Sequence, residues 1–139
     1  MKRTQLVIAT LLVGSAALVS IGQMAKAGSK ADIFVVVDNV QRFAQGALSS
    51  AHNSSDPTQF IYCQTVASTT SVDTFCNATS STGINLSCSI NPNFPNATWM
   101  REAALSITED SIIRFRVDTS GFCTEILVTK GSVAPPKVP

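Results

Sequence analysis

The chain has 139 residues, 45% of them hydrophobic and only 14% charged, with ten Lys or Arg against nine Asp or Glu and a formal net charge of +1. Its basic residues are scattered, so it lacks the electrostatic footprint of a nucleic-acid binder. It also has no polybasic cluster or basic amphipathic helix to hold it on an anionic membrane.

Residues 1 to about 27 read as a secretory signal peptide. Lys2 and Arg3 form a positive start, Leu6 to Ile21 is an apolar run, and Ala25-Lys26-Ala27 fits the small-residue pattern of a cleavage site. Left uncleaved, Thr4 to Ile21 is just long enough to act as a bilayer-spanning anchor. Cleavage is the favoured reading, because the alanine pair follows the apolar run directly. The mature chain is then expected to begin at Gly28, secreted or periplasmic, with no membrane contact. It keeps seven basic and nine acidic residues, a net charge of about −2. That length suits one modest domain, residues 28–130. Gly131 to Pro139 carries three prolines and is expected to be an extended tail.

Cys63, Cys76, Cys88 and Cys123 are the only cysteines. In an exported chain of this size they predict two disulfides. Their spacing contains neither the two close pairs of a zinc site nor a C-x-x-C redox motif. Cys63 and Cys76 are symmetric about a turn at Thr69-Thr70, and Cys76 and Cys88 about Thr82, so these three are expected side by side on adjacent antiparallel strands. All three pairings of four cysteines stay open.

Along the mature chain, Ala31 to Asp38 is β-branched and reads as a first strand buried on both faces, or as a membrane-proximal continuation. Val40 to Leu48 fits either a short helix, weakened by Gly46, or a strand in which Phe43 and Ala47 alternate with Gln45. Ser49 to Thr58 reads as a polar loop. Thr58 to Ala67, Val72 to Asn77 and Ile84 to Ile90 form a three-stranded meander with polar turns. Pro92 and Pro95 break it. A short helix is expected over about residues 97–107, with Trp99, Met100, Ala103, Ala104 and Ile107 on its buried face and Arg101, Glu102 and Glu109 toward water.

Ser111 to Lys130 then reads as a β-hairpin around Asp118-Thr119-Ser120-Gly121. Folding about the turn midpoint places Val117 opposite Phe122 and Ile113 opposite Ile126 on an apolar face. The other face carries Arg114, Arg116, Cys123 and Glu125. The fold class is therefore mainly β: a small disulfide-stapled antiparallel sandwich or open barrel with one short helix.

Gln59-Phe60-Ile61-Tyr62-Cys63, followed later by Phe115-Arg116-Val117-Asp118-Thr119-Ser120-Gly121-Phe122-Cys123-Thr124, resembles a group of short exported bacterial proteins with the pattern Q-Y-I-x-C and then F-x-W-D-x-S-G-x-C-T. The likeness covers roughly residues 46–137. It departs from the pattern at Val117, where an aromatic is expected, and at Tyr62, where glycine is. The group has no assigned activity, so the resemblance implies export and disulfides but no catalytic residue.

Chemistry-bearing residues are sparse. His52 is the single histidine and sits in the stretch read as a polar loop. A Ser-His-Asp device would need partners brought to it by the fold. Asp32, Asp38, Asp56, Asp73, Glu109, Asp110 and Asp118 are dispersed, Glu109-Asp110 lacks the alternating donors of a calcium loop, and no phosphate-cradling glycine motif occurs. No cofactor and no metal are expected. Asn53, Asn77, Asn85 and Asn96 begin N-x-S/T sequences, which read better as polar β turns than as glycosylation sites. Two functional classes remain. One is a secreted non-catalytic module, envelope-associated, adhesive, inhibitory or part of an extracellular assembly, binding an unknown partner through Arg114 and Arg116 as a monomer or weak self-associate. The other is a small secreted hydrolase using His52 with a serine or carboxylate.

Overall fold

A computed structural model describes residues 32–131. The signal peptide expected over 1–27 and the tail beyond Gly131 lie outside the described residues. The elements are β1 (Val36–Asp38), β2 (Phe43–Ala47), α1 (Leu48–Asn53), β3 (Phe60–Ala67), β4 (Val72–Thr79), β5 (Asn85–Ser89), α2 (Ala97–Leu105), β6 (Ile112–Val117) and β7 (Cys123–Thr129). They make two antiparallel sheets, a four-stranded one in the order β1-β2-β6-β7 and a three-stranded one in the order β3-β4-β5. The inner faces share one core, to which Val35, Ala44, Ile113 and Phe115 come from the first sheet and Ile61, Cys76, Ala78 and Cys88 from the second. This is the sandwich arrangement, and the sheets do not close into a barrel.

Period-two alternation explains the first sheet. Val37, Ala44 and Phe115 lie in one cross-strand row on its inner face, and Ile113 lies opposite Gly46 in the next. Only Val36–Asp38 of the expected first strand is paired. The strand is not buried on both faces: Val35 and Val37 point into the core, while Phe34 and Val36 remain half exposed. The ambiguity over residues 40–48 resolves in favour of strand, but only over Phe43–Ala47, with a turn before it and α1 beginning at Leu48. Gly46 is hemmed in by Val35, which precedes β1 on the same sheet, and by Ile61 of the second sheet: a Cβ there would stand 3.0 Å from Val35 Cγ2, 3.1 Å from Val35 Cα and 3.4 Å from Ile61 Cγ2.

The stretch from Ser49, expected to be loop, begins inside α1. Its serines mislead as polar markers because Ser49 and Ser50 are small enough to be buried, and Ser50 Oγ accepts the backbone N–H of Ile33 at 3.0 Å. Buried polar groups are tolerated when they satisfy a backbone donor in this way. Helix α2 forms as expected but presents Ala97, Met100 and Ala104 inward. Trp99 is therefore 72% exposed rather than core, because the buried stripe follows i, i+3, i+7 from Ala97 and passes beside it.

Both disulfides are present, Cys63–Cys76 and Cys88–Cys123. The expected row exists, since Cys63 lies opposite Cys76 and Cys76 opposite Cys88. Cys63 and Cys76 have their Cα atoms 4.0 Å apart, the spacing of the closer, non-hydrogen-bonded kind of antiparallel pair. A residue in a central strand directs its backbone polar groups to one neighbour only, so Cys76 faces Cys88 in the wider kind of pair. Cys76 thus bonds Cys63, and Cys88 bridges to the other sheet.

Cys123 reaches that bridge through a correction to the expected hairpin. Asp118 N donates to Phe122 O at 2.9 Å, Asp118 Oδ1 accepts from Ser120 N and Phe122 N at 2.8 Å, and Gly121 sits at φ +86°. The turn is one residue longer than read from sequence, so Val117 faces Cys123 rather than Phe122, and the register shifts beyond it, with Ile113 facing Val128 and Phe115 facing Ile126. Thr124 is left without a cross-strand partner, which is a β-bulge. The extra residue turns Cys123 from the polar face, where alternation from Glu125 would put it, to complete burial.

Candidate functional site

The solvent face of the first sheet follows from its register. Asp38, Phe43, Arg116 and Glu125 form one row across all four strands, and Val36, Gln45, Arg114 and Leu127 form the next. Both guanidinium carbons stand 5.5 Å from the centre of the Phe43 ring, within the range of a cation–π contact. Glu125 spans the pair, with Oε1 3.5 Å from Arg114 Nε and Oε2 3.4 Å from Arg116 Nε. Arg114 Nε is shielded from solvent and meets the carboxylate without hydrogen-bond alignment.

The two arginines expected to form a binding face thus lie side by side, held by a ring and a shared carboxylate. Around them Phe34, Val36 and Leu127 are each at least half exposed. Phe34, Val36, Phe43 and Gln45 line a shallow depression of about 250 Å³. Phe43 is the residue the sequence reading missed. Its side chain joins the arginines only through the β2–β6 register, although the strand reading of residues 40–48 already set it to alternate with its neighbours.

Arg42 is not part of this surface. It adopts φ 54° at the end of the β1–β2 turn, and its guanidinium donates to Val117 O at 3.1 Å and to Asp118 O. Those bonds fasten the β1–β2 turn to the end of β6 and offset a backbone conformation costly for a side chain with a Cβ.

No family model, curated protein or solved structure matches the chain.

His52 belongs to α1 rather than to a loop. It is exposed on the wall of a cleft of about 420 Å³ that Ser49, Gln59, Phe60, Ile61 and Glu109 also line. Gln59 fixes one side of this cleft, accepting from Val35 N at 3.1 Å and donating to Ser54 Oγ at 2.6 Å. Ser111 fixes another: Thr108 N donates to its Oγ and Leu48 N to its carbonyl. A serine, a histidine and a glutamate therefore share one cleft. His52 makes no hydrogen bond to another described residue, and Ser49 Oγ is sealed from solvent without a hydrogen-bond partner. The hydrogen bond between nucleophile and base that defines an activated serine is not formed. No group of three or more His, Cys, Asp or Glu placed to hold a metal ion occurs among the described residues.

Proposed function

We propose that the chain is an exported, non-catalytic β-domain that binds a macromolecular partner outside the cell or in its envelope through the solvent face of the first sheet. The observation that carries this reading is the pair Arg114 and Arg116 stacked on Phe43 amid exposed apolar side chains. Arginines and aromatics dominate the energetics of protein interfaces. An arginine already held against a ring and a carboxylate loses less side-chain freedom when a partner arrives. Export draws its support from the signal-like residues 1–27 and from two disulfides, which fit an oxidising compartment.

A hydrolase acting from the cleft beside α1 is the second reading, favoured by the meeting of Ser49, His52 and Glu109 there. The shielded Ser49 hydroxyl speaks against it. The test compares wild type, Arg114→Glu/Arg116→Glu and His52→Ala, each labelled, for binding to envelope fractions and to secreted proteins of the source cells. The arginine reversal should weaken binding at least tenfold and the histidine change should leave it intact. A hydrolytic activity abolished by His52→Ala and untouched by the arginine changes overturns the binding reading.

A further inference from the structure

The solvent face of the second sheet has a different chemistry from that of the first. Its register sets out three rows: Phe60, Thr79 and Asn85; Tyr62, Asn77 and Ser87; Gln64, Phe75 and Ser89. These nine side chains are three aromatic rings, three carboxamides and three hydroxyls, that of Thr79 being buried beneath Asn85, and none is charged. The nearest charge along β4 is Asp73, in the row beyond.

The rings run diagonally as a continuous ladder. Phe60 and Tyr62 have centroids 5.9 Å apart, and Tyr62 meets Phe75 edge-on at 6.3 Å. Phe60 is 39% exposed and Tyr62 36%. Rings of this size left at a sheet surface forgo the burial that normally places them inside. Among the described residues the Tyr62 hydroxyl has no partner.

The amides beside the ladder are fixed in place. Asn85 Nδ2 donates to Asn77 Oδ1 and Thr79 Oγ1, both at 2.8 Å, and lies 3.2 Å from Ala78 O. This network occupies the donors of Asn85 and one acceptor of Asn77, leaving the Asn77 amide hydrogens and the Asn85 carbonyl for a ligand. Flat apolar rings next to oriented amides and hydroxyls, with no charge among them, are the complement of an uncharged molecule that has apolar C–H faces and hydroxyl-bearing edges. A neutral saccharide has that form. The open, unwalled sheet suits an extended oligosaccharide more than a single sugar ring. An acidic polymer would find no cation in these rows, and a protein or lipid surface would leave the fixed amides without a matched set of hydroxyls.

We propose that the solvent face of the β3-β4-β5 sheet is a binding site for a neutral oligosaccharide, with Phe60, Tyr62 and Phe75 stacking on sugar rings and Asn77, Asn85 and Gln64 bonding their hydroxyls. The site is separate from the arginine surface and does not depend on it. The test titrates the mature, oxidised protein with cellohexaose, chitohexaose, maltohexaose and laminarihexaose by calorimetry, with polygalacturonate as the charged control. Micromolar-to-millimolar binding of at least one neutral hexasaccharide is expected. It should weaken about tenfold or more in Tyr62→Ala and in Phe75→Ala, persist in Tyr62→Phe, which keeps the ring, and persist in Arg114→Glu/Arg116→Glu. Thermal unfolding of each variant separates lost binding from lost fold. Failure of all four neutral sugars to bind at millimolar concentration, binding of the charged control alone, or binding that tracks the arginines instead of Tyr62 overturns the proposal.

Discussion

Gly46→Ala tests the packing of β2 against the segment leading into β1 most directly. The new methyl would stand 3.0 Å from Val35 Cγ2 and 3.1 Å from Val35 Cα, well inside ordinary contact. The side-chain contact could relax by rotation, but the backbone contact could relax only if the chain at Val35 moved. That chain is pinned on both sides, by Gln59 Oε1 accepting from Val35 N at 3.1 Å and by Ala47 N donating to Ile33 O at 2.9 Å. Overpacking at a site that cannot yield costs about 1–3 kcal/mol. The loss of glycine's freedom in the unfolded chain returns roughly 0.4–1 kcal/mol. The net expectation is a destabilisation of about 1–2 kcal/mol, or a fall in Tm of roughly 5–10 °C for a domain near 100 residues. Urea and thermal unfolding of the oxidised protein would measure it, with m unchanged if only the native state is strained. Val35→Ala removes the nearer side-chain contact but not the backbone one, so Gly46→Ala should cost less in that background without becoming neutral. An unchanged or raised Tm for Gly46→Ala alone refutes the claim that the chain at Val35 packs against Gly46 without slack.

The two bridges should differ in worth. Loop closure over sequence separations of 13 and 35 gives about 3 and about 4 kcal/mol in the chain-entropy account. Cys88→Ala/Cys123→Ala, which also empties a fully buried site between the sheets, should therefore lower denaturant stability more than Cys63→Ala/Cys76→Ala, and the reverse order would be evidence against it. Asp118→Ala removes the acceptor of two turn N–H groups at 2.8 Å and should cost about 1–3 kcal/mol in thermal unfolding. Asp118→Asn should recover much of that. Arg42→Ala keeps the left-handed backbone but loses the guanidinium bonds to Val117 O and Asp118 O. Its expected loss is about 1–2 kcal/mol, whereas Arg42→Gly should lose less because it relieves the φ of 54°.

Local patterns were readable in the sequence wherever local chemistry decides the structure. The β3-β4-β5 meander, the short helix over residues 97–105, the outward Arg114, Arg116 and Glu125, and the row of Cys63, Cys76 and Cys88 all follow from alternation and from symmetry about turns. Features set by tertiary contact were not readable. Nothing in Ser49 or Ser50 announces that these serines will be buried in a helix, one of them accepting the backbone N–H of the distant Ile33. Trp99 looks like core by composition, yet the way α2 lies on the sheets selects Ala97, Met100 and Ala104. The one-residue bulge at Thr124 changes the facing of Cys123, and a turn motif alone does not reveal such a shift. The place of Phe43 beneath the arginines rests on pairing between distant strands, which no local pattern encodes. The uncharged grid on the second sheet was legible residue by residue, but it became a surface only when the register aligned three strands.

The placement of the cysteines also predicts an order of assembly. Cys63–Cys76 and Cys76–Cys88 both span one hairpin with loops of nearly equal length, so what favours the first is the close cross-strand pair, with Cα atoms 4.0 Å apart, and both close more readily than the long loop to Cys123. Once that bond exists, Cys76 is masked in the way a protecting group masks one thiol among several during synthesis. Cys88, its other cross-strand neighbour, can then react only with Cys123, which comes within reach when the last hairpin docks and its bulge turns that side chain inward. A local bond formed first would leave Cys123 as the one partner for Cys88, an order that trapping the mixed disulfides during oxidative refolding would test. Losing Cys63 alone would do more than delete a bridge, because Cys76 would be left as a competitor for Cys88 throughout oxidative folding.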